Sequence, residues 1–413
     1  MYPSVYSISV MVLFVILLTQ YHGNPVANVA PSRTAGGVFS PFASSRDFVT
    51  LKSPNEELGG GYFGYSVAVS GNLVVVGTVG GSDPHVYVFD TRTGGVISTL
   101  TSPSARLYAG GFGQSVATDG SIVVVGAPIE DANGLTRAGH SYLFDGATGT
   151  LISTLTSPNA QIEGEFGHSV ALSGNVVVVS TPFEESNGFS KAGRAYVFNA
   201  TTGSLIYALA SPDAASFGLF GASVSTNDNQ VVVGAEGESA NSQSRAGRVY
   251  VFNVTNGALI STLTSPNVQS FGFGSSVDVS GNFVVVGAPL EGVNGQVWAG
   301  TVYTFNAATG VLISTLTSPN AESSDLFGWS VGTRGNLVVV GAPFEAASGL
   351  IGAGRAYTFN GVTGSLISML KSPNIQVGEG FGFAVAASGN TLAIGAPFVA
   401  GNAYMSKLAP ASA

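Results

Sequence analysis

The feature of this sequence that most restricts its fold is a dipeptide, Phe-Gly, which returns at a nearly constant interval. Seven of its copies are separated by 49, 54, 54, 53, 54 and 54 residues, and they begin at Phe63, Phe112, Phe166, Phe220, Phe273, Phe327 and Phe381. A fixed period of this length is typical of repeat architectures, in which each supersecondary unit is stable only against its neighbours. The chain of 413 residues is therefore predicted to form one array of seven units rather than two or three independent domains.

Each repeat contains four short strand candidates, which we name A to D in chain order. In the third repeat, FGHSVALSG and NVVVVSTP meet at a Ser-Gly-Asn turn, and RAYVFN leads through Ala-Thr-Thr-Gly into the fourth strand. Gly and Asn tolerate the positive φ of tight hairpins. Strand B is apolar at four successive positions, Val176 to Val179, so both of its faces must be covered. Radial stacking provides that cover, and the sequence predicts an all-β, seven-bladed β-propeller of four-stranded antiparallel blades.

The two ends of the array predict how the ring closes. The seventh repeat stops after strand C, whereas FVTLKSPN at 48–55 matches the strand D sequence ISMLKSPN at 367–374. We therefore expect the N-terminal segment to be the outer strand of the last blade. The propeller is predicted to span 47–406, with a tail at 407–413.

Three recurring patterns have structural interpretations. We expect the Phe of Phe-Gly to be a wedge between blades and its Gly to leave room where the inner strands crowd. Gly-Ala-Pro, which begins at Gly126, Gly287, Gly341 and Gly395, ends strand B. The Tyr-x-Phe pair of strand C, as in Tyr196 and Phe198, is expected in the core between blades.

The N-terminus predicts export. An apolar core of about a dozen residues, from Ile8 to Leu18, has the length of a signal-peptide core and is too short to span a bilayer comfortably. We predict a signal peptide at 1–30, a linker at 31–46 and a secreted or surface protein with no membrane span in the mature chain; an uncleaved anchor is the alternative. The sequons at Asn199 and Asn253 are predicted glycosylation sites.

Charge and cysteine content exclude several functions. The net charge is −9, and the 14 Lys and Arg residues are spread along the chain, so no basic stripe is available for nucleic acid. The chain has no Cys, which excludes disulfides and thiolate chemistry.

Phe-Gly followed by Gly-Ala-Pro, repeated around a ring, resembles the FG-GAP repeats of integrin α-subunit propellers and of their bacterial-style relatives. The segment GAPIEDANGLTRAGHSYLF at 126–144 is similar to the latter, and the resemblance extends over about 47–406. It implies a secreted or surface propeller used for adhesion or binding. Integrin blades bind calcium in an Asp-rich loop between strands A and B, but here that loop is a short turn such as Ser173-Gly-Asn, which cannot supply six or seven oxygens. We expect no cofactor; the integrin-type calcium loops are absent, and calcium binding elsewhere stays an open alternative.

Strand direction places the B–C and D–A loops on one side of the disc, which we call the long-loop face, and binding belongs there. Its B–C loops carry eight acidic residues: Glu130, Asp131, Glu184, Glu185, Glu236, Glu238, Glu291 and Glu345. One interpretation is weak cation binding, with Asn133, Asn187 and Asn294 as further ligands. We favour a solvated acidic rim, because carboxylates at adjacent positions point apart.

The residue after Phe-Gly varies while its surroundings do not. Strand A is innermost, so this column should face the central funnel or its mouth. The mixture of aromatic and polar side chains suits stacking on a sugar or holding a side chain, and filling of the axis is the structural alternative. The candidate ligand-binding residues are Tyr65, Gln114, His168, Trp329 and Phe383.

Two functions from different classes follow. The leading hypothesis is a non-enzymatic adhesion or binding propeller, whose long-loop face recognises an extracellular glycan or protein. The alternative is an extracellular hydrolase or lyase with its active site in the funnel. Of the four histidines, His22 lies near the signal peptide, whereas His85, His140 and His168 lie in different blades, and we recognise no catalytic constellation.

Overall fold

The computed structural model describes residues 48–55, 61–81, 84–104, 110–267, 269 and 272–408. The predicted signal peptide, the predicted linker and most of the predicted tail lie outside the described residues. No helix in the described part has the length and apolar character needed to cross a membrane.

The described residues form 28 strands in seven four-stranded antiparallel blades, which confirms the predicted propeller. Blade 1 contains β2 (Tyr62–Ser70), β3 (Leu73–Val79), β4 (His85–Asp90) and β5 (Val96–Thr101). Blade 2 contains β6 (Ser115–Thr118), β7 (Ile122–Ala127), β8 (His140–Asp145) and β9 (Leu151–Leu155). Blade 3 contains β10 (Val170–Ser173), β11 (Val176–Thr181), β12 (Arg194–Asn199) and β13 (Leu205–Leu209). Blade 4 contains β14 (Phe220–Thr226), β15 (Gln230–Ala235), β16 (Arg248–Asn253) and β17 (Leu259–Leu263).

The remaining three blades complete the ring. Blade 5 contains β18 (Ser276–Ser280), β19 (Phe283–Ala288), β20 (Thr301–Asn306) and β21 (Leu312–Leu316). Blade 6 contains β22 (Ser330–Arg334), β23 (Leu337–Ala342), β24 (Arg355–Asn360) and β25 (Leu366–Leu370). Blade 7 contains β26 (Ala384–Ser388), β27 (Thr391–Ala396), β28 (Asn402–Lys407) and, from the other end of the chain, β1 (Val49–Leu51).

The short strand β1 closes the ring. It pairs antiparallel with β28, with Val49 opposite Met405 and Leu51 opposite Ala403. Just before it, the ring of Phe48 meets the Phe381 ring edge-on at 5.9 Å, within blade 7. The folded unit extends slightly past the predicted boundary at 406, since β28 ends at Lys407 and the next residue, Leu408, is buried.

The hydrophobic core lies between the blades. One cluster joins Val75 and Val88 of blade 1 to Phe112 of blade 2. The Phe112 ring contacts Tyr142 and Phe144 of its own blade at centroid distances of 5.9 and 6.2 Å. The Phe of Phe-Gly is thus a wedge between blades, and the Tyr-x-Phe pair is part of the same core, as predicted.

Adjacent blades approach closely at the inner strands, and six of the seven blades have Gly at one position of strand B, where blade 3 has the buried Ser180. A Cβ added at Gly126, in strand B of blade 2, would lie 2.1 Å from the carbonyl oxygen of Gly167 in blade 3. The Ser115 hydroxyl donates to that same carbonyl at 2.9 Å. The equivalent hydroxyls of blades 1, 4, 5 and 6 also donate to the next blade, namely Ser66, Ser223, Ser276 and Ser330. Blade 7 has Ala384 at this position and so lacks the hydroxyl.

Candidate functional site

The long-loop face is a layer ordered by backbone hydrogen bonds. Each long B–C loop folds into a small hairpin, such as Ala132 to Leu135, where Asn133 and Gly134 have φ values of 54° and 76°. Positive φ at both central residues is typical of a type I′ turn. The next D–A linker then bonds to the loop, as when the Glu163 amide donates to the Thr136 carbonyl at 2.9 Å. Loop and linker therefore form one surface around the funnel.

The acidic residues of this face are mostly buried. Five of the eight, Glu130, Glu184, Glu238, Glu291 and Glu345, are between 0% and 7% exposed. The expectation of a solvated acidic rim is wrong for these five. Asp131 and Glu185 are exposed, and Glu236 is half-buried.

Each buried Glu belongs to a hydrogen-bond network that links successive blades. In blade 5, the Tyr303 hydroxyl and the Ser265 hydroxyl each donate to Glu291 at 2.6 Å. Tyr303 stands on strand C of the same blade, 12 residues after the Glu, and Ser265 lies just past the outer strand of the preceding blade, β17, which ends at Leu263. The same spacing of 12 residues between the Glu and the Tyr recurs in blades 2 to 6. This spacing is the sequence pattern from which the network could have been predicted.

Burial is the largest influence on these carboxyl groups. It raises the pKa of Glu184, Glu291, Glu345 and Glu379, and it raises the pKa of Glu238 to about 7. The hydroxyl donors lower these pKa values but do not cancel the effect of burial. In the described part of the chain, no three His, Asp or Glu side chains form a group that could hold a metal ion. The buried carboxyl groups instead accept hydrogen bonds from Tyr and Ser hydroxyls of the network, and they do not converge on a common point.

Three of the candidate funnel residues form one aromatic surface. The Phe383 ring of blade 7 lies 5.5 Å from the Trp329 ring of blade 6 and 5.0 Å from the Tyr65 ring of blade 1. Phe383 is buried beneath its partners, whereas Trp329 and Tyr65 are partly exposed. Burial raises the pKa of the Tyr65 hydroxyl, so it remains a neutral hydrogen-bonding group. The column predicted from the repeats therefore brings three rings together across two blade boundaries.

Two further rings of this surface were missed in the sequence. Phe344 lies 6.1 Å from Trp329, and Phe398 lies 5.2 Å from Phe383. Both follow Gly-Ala-Pro directly, and both are partly exposed. The variation of that position among repeats, from Ile129 to Phe344, was a signal comparable to the one after Phe-Gly. We call Tyr65, Trp329, Phe344, Phe383 and Phe398 the aromatic arc.

The other candidates lie in different blades and are polar. His168 of blade 3 has its Nδ1 3.6 Å from Glu165, and its ring meets Phe183 edge-on at 5.7 Å. Gln114 of blade 2 is half-buried. In blade 5, the Ser275 hydroxyl donates to Glu236 at 2.6 Å. The funnel mouth is thus aromatic over blades 6, 7 and 1, and polar over blades 2, 3 and 5.

The two sequons lie in the tight C–D turns of the opposite face. The Asn199 side-chain oxygen accepts from the Thr201 amide at 3.0 Å, and the Asn253 oxygen accepts from the Thr255 amide at 2.9 Å. Asp145 forms the same contact in blade 2, so this position has a turn-forming role without any glycan. Glycosylation at the two Asn residues stays a prediction.

Comparison with known proteins identifies the repeats. A family described as FG-GAP repeat matches six segments that cover more than half of the chain: residues 53–89, 109–144, 150–198, 206–252, 267–305 and 311–359. A search of curated proteins found no match.

Proposed function

Because this chain belongs to the FG-GAP repeat family of β-propeller proteins, we propose that it is a secreted or cell-surface binding protein. Its ligand is an extracellular glycan or protein, which the long-loop face recognises without catalysis. FG-GAP propellers are generally non-catalytic. The single observation that carries the proposal is the aromatic arc at the funnel mouth.

The arc has the chemistry of a recognition surface. Aromatic faces pack on the C–H face of a pyranose or on an apolar side chain, and a few placed polar groups then fix orientation. Here Trp329 and Tyr65 supply partly exposed rings, while His168 and Gln114 supply polar groups across the mouth. Such a combination of ring platform and polar rim suits an uncharged or weakly polar ligand.

Loop length favours access at this side of the ring. In blade 2, Tyr142 comes 16 positions after Gly126, whereas in blade 7 Tyr404 comes nine positions after Gly395 and in blade 1 Tyr87 comes ten positions after Gly77. The lowest part of the rim therefore adjoins the aromatic arc. A large partner can approach the rings there without displacing a long loop.

The test is an array of glycans and extracellular-matrix proteins, probed with the chain from residue 31 onward and with its Trp329→Ala variant. We expect the variant to lose about tenfold or more in affinity, which is the usual cost of removing an aromatic anchor. Phe189→Ala removes an exposed ring from another part of the same face and is the matched control. Equal binding by Trp329→Ala and wild type would place recognition elsewhere, and binding abolished by a calcium chelator would contradict a metal-free site.

A further inference from the structure

Three blades place an arginine at the first residue of strand C, two positions before the Tyr of the network. In each, the arginine Nε donates to the backbone carbonyl of the residue that follows the buried Glu. The pairs are Arg194 to Glu185 at 3.3 Å, Arg248 to Ser239 at 2.8 Å and Arg355 to Ala346 at 2.9 Å. This guanidinium position is therefore a repeated part of the blade.

The arginine charge acts on the acid beside it. The Arg355 Nε lies 3.1 Å from Glu345, and an Arg248 terminal nitrogen lies 3.2 Å from Asp213 of the preceding linker. Attraction to Arg248 also lowers the pKa of Glu238, against the larger effect of burial. A cation at this position thus compensates part of the cost of burying the carboxyl group.

Blade 5 has Thr301 at this position, and an open cavity of about 820 Å³ borders it. The cavity is lined by Thr301, Gly292 and Asn267. In the repeat alignment these are the counterparts of Arg248, Ser239 and Asp213, the residue and the two contacts that define the guanidinium position of blade 4. The cavity therefore occupies the place that an arginine side chain fills in blades 3, 4 and 6.

The surroundings of this cavity favour a cation. Tyr303 lines the cavity, and the Glu291 carboxylate to which it donates lies buried behind it. No Lys, Arg or His in the described part of the chain forms an ion pair with Glu291. Trp298, which is 37% exposed, forms another part of the wall. It stands where blades 2 to 4 have Arg137, Lys191 and Arg245.

We propose that blade 5 binds a guanidinium group carried on an apolar stem, either as a free molecule or as the arginine side chain of a partner. The stem lies along the Trp298 ring, which attracts a cation over its face. The guanidinium donates to the second lone pair of the Gly292 carbonyl, beside the bond from Gln269 at 3.2 Å, and to the Asn267 side-chain oxygen. Glu291 supplies the negative field. A volume of about 820 Å³ is within the range of small-molecule sites. The site is separate from the aromatic arc.

The experiment is calorimetric titration with n-butylguanidinium, with the neutral isostere n-butylurea as the control ligand. We expect butylguanidinium to bind and butylurea to bind about tenfold more weakly or not at all. Thr301→Arg should abolish binding, because the chain's own guanidinium then fills the cavity. Three sister blades accept an arginine there, so this variant should retain the wild-type melting temperature.

Further variants and ligands separate the explanations. Trp298→Ala should weaken binding of butylguanidinium, whereas Trp329→Ala, in the aromatic arc, should not. An acetylated Gly-Arg-Gly amide that binds better than butylguanidinium identifies a partner's arginine as the source, and equal affinities identify a free cation. The proposal is overturned if butylguanidinium does not bind wild type, if folded Thr301→Arg binds it equally well, or if butylurea matches it.

Discussion

Raising the pH from 5 to 8 should destabilise the propeller through Glu238. Burial raises the pKa of this carboxyl from 4.5 to about 7, although Ser211, Tyr250 and Arg248 oppose the rise. A group whose pKa is higher in the folded state adds stability that is complete below pH 4.5 and is lost as the pH rises through about 7. Since one pKa unit corresponds to about 1.4 kcal/mol, Glu238 alone should account for roughly 3 kcal/mol.

Other buried acids act in the same direction. Burial also raises the pKa of Asp325 to about 7, and the nearby charges of Glu345 and Glu322 add to the rise. The opposite case is Asp90, whose contact with Arg92 lowers its pKa to about 2. The stability that ionised Asp90 contributes is lost only in strong acid, so Asp90 does not affect the change in unfolding free energy between pH 5 and 8.

The assay is urea unfolding at pH 5, 6, 7 and 8, followed by the fluorescence of Trp298 and Trp329. Wild type should lose free energy of unfolding as the pH rises, and Glu238→Gln should lose about 3 kcal/mol less. Glu163→Gln, at an exposed position, is the matched control and should follow wild type. Wild-type stability that is equal or greater at pH 8, or an unchanged pH dependence in Glu238→Gln, would refute the reasoning.

Two further predictions concern the architecture. Deleting 47–55 should lower the melting temperature steeply, because β1 and its buried Leu51 complete blade 7; an unchanged melting curve would contradict closure by this strand. Gly126→Ala should cost roughly 3 kcal/mol because its Cβ would lie 2.1 Å from the Gly167 carbonyl, whereas Gly134→Ala, in open space at φ 76°, should cost only about 1 kcal/mol. Equal losses in urea unfolding would show that close approach is not what requires glycine at Gly126.

The fold was predictable because its determinants recur at fixed spacing. Phe112 and its six counterparts indicate the repeat period, and the run from Val176 to Val179 indicates a sheet that is covered on both faces. Even closure could be inferred, since the sequence around Leu51 repeats that of a strand D. These signals are local or periodic, and seven copies reinforce one another.

The site was less predictable because its contacts depend on how each B–C loop folds back on its blade. Glu184 and Glu185 look alike in the sequence, yet one is buried and the other exposed, since only the first meets the Tyr196 hydroxyl when the loop folds back. The column containing Trp329 could be found by aligning repeats. Its contact with Phe344 of the same blade depends on where the B–C loop turns, and aligning the repeats does not give that position.

The antiparallel pairing of β1 with β28 has a mechanical consequence. Val49 lies opposite Met405, so the chain enters and leaves the propeller at the same end of this three-residue ladder. Tension between the preceding and following segments would peel the ladder apart one hydrogen bond at a time rather than shear all of its bonds together. Under a pulling force, blade 7 should release its outer strand first, while blades 1 to 6 carry no tension until that strand has gone.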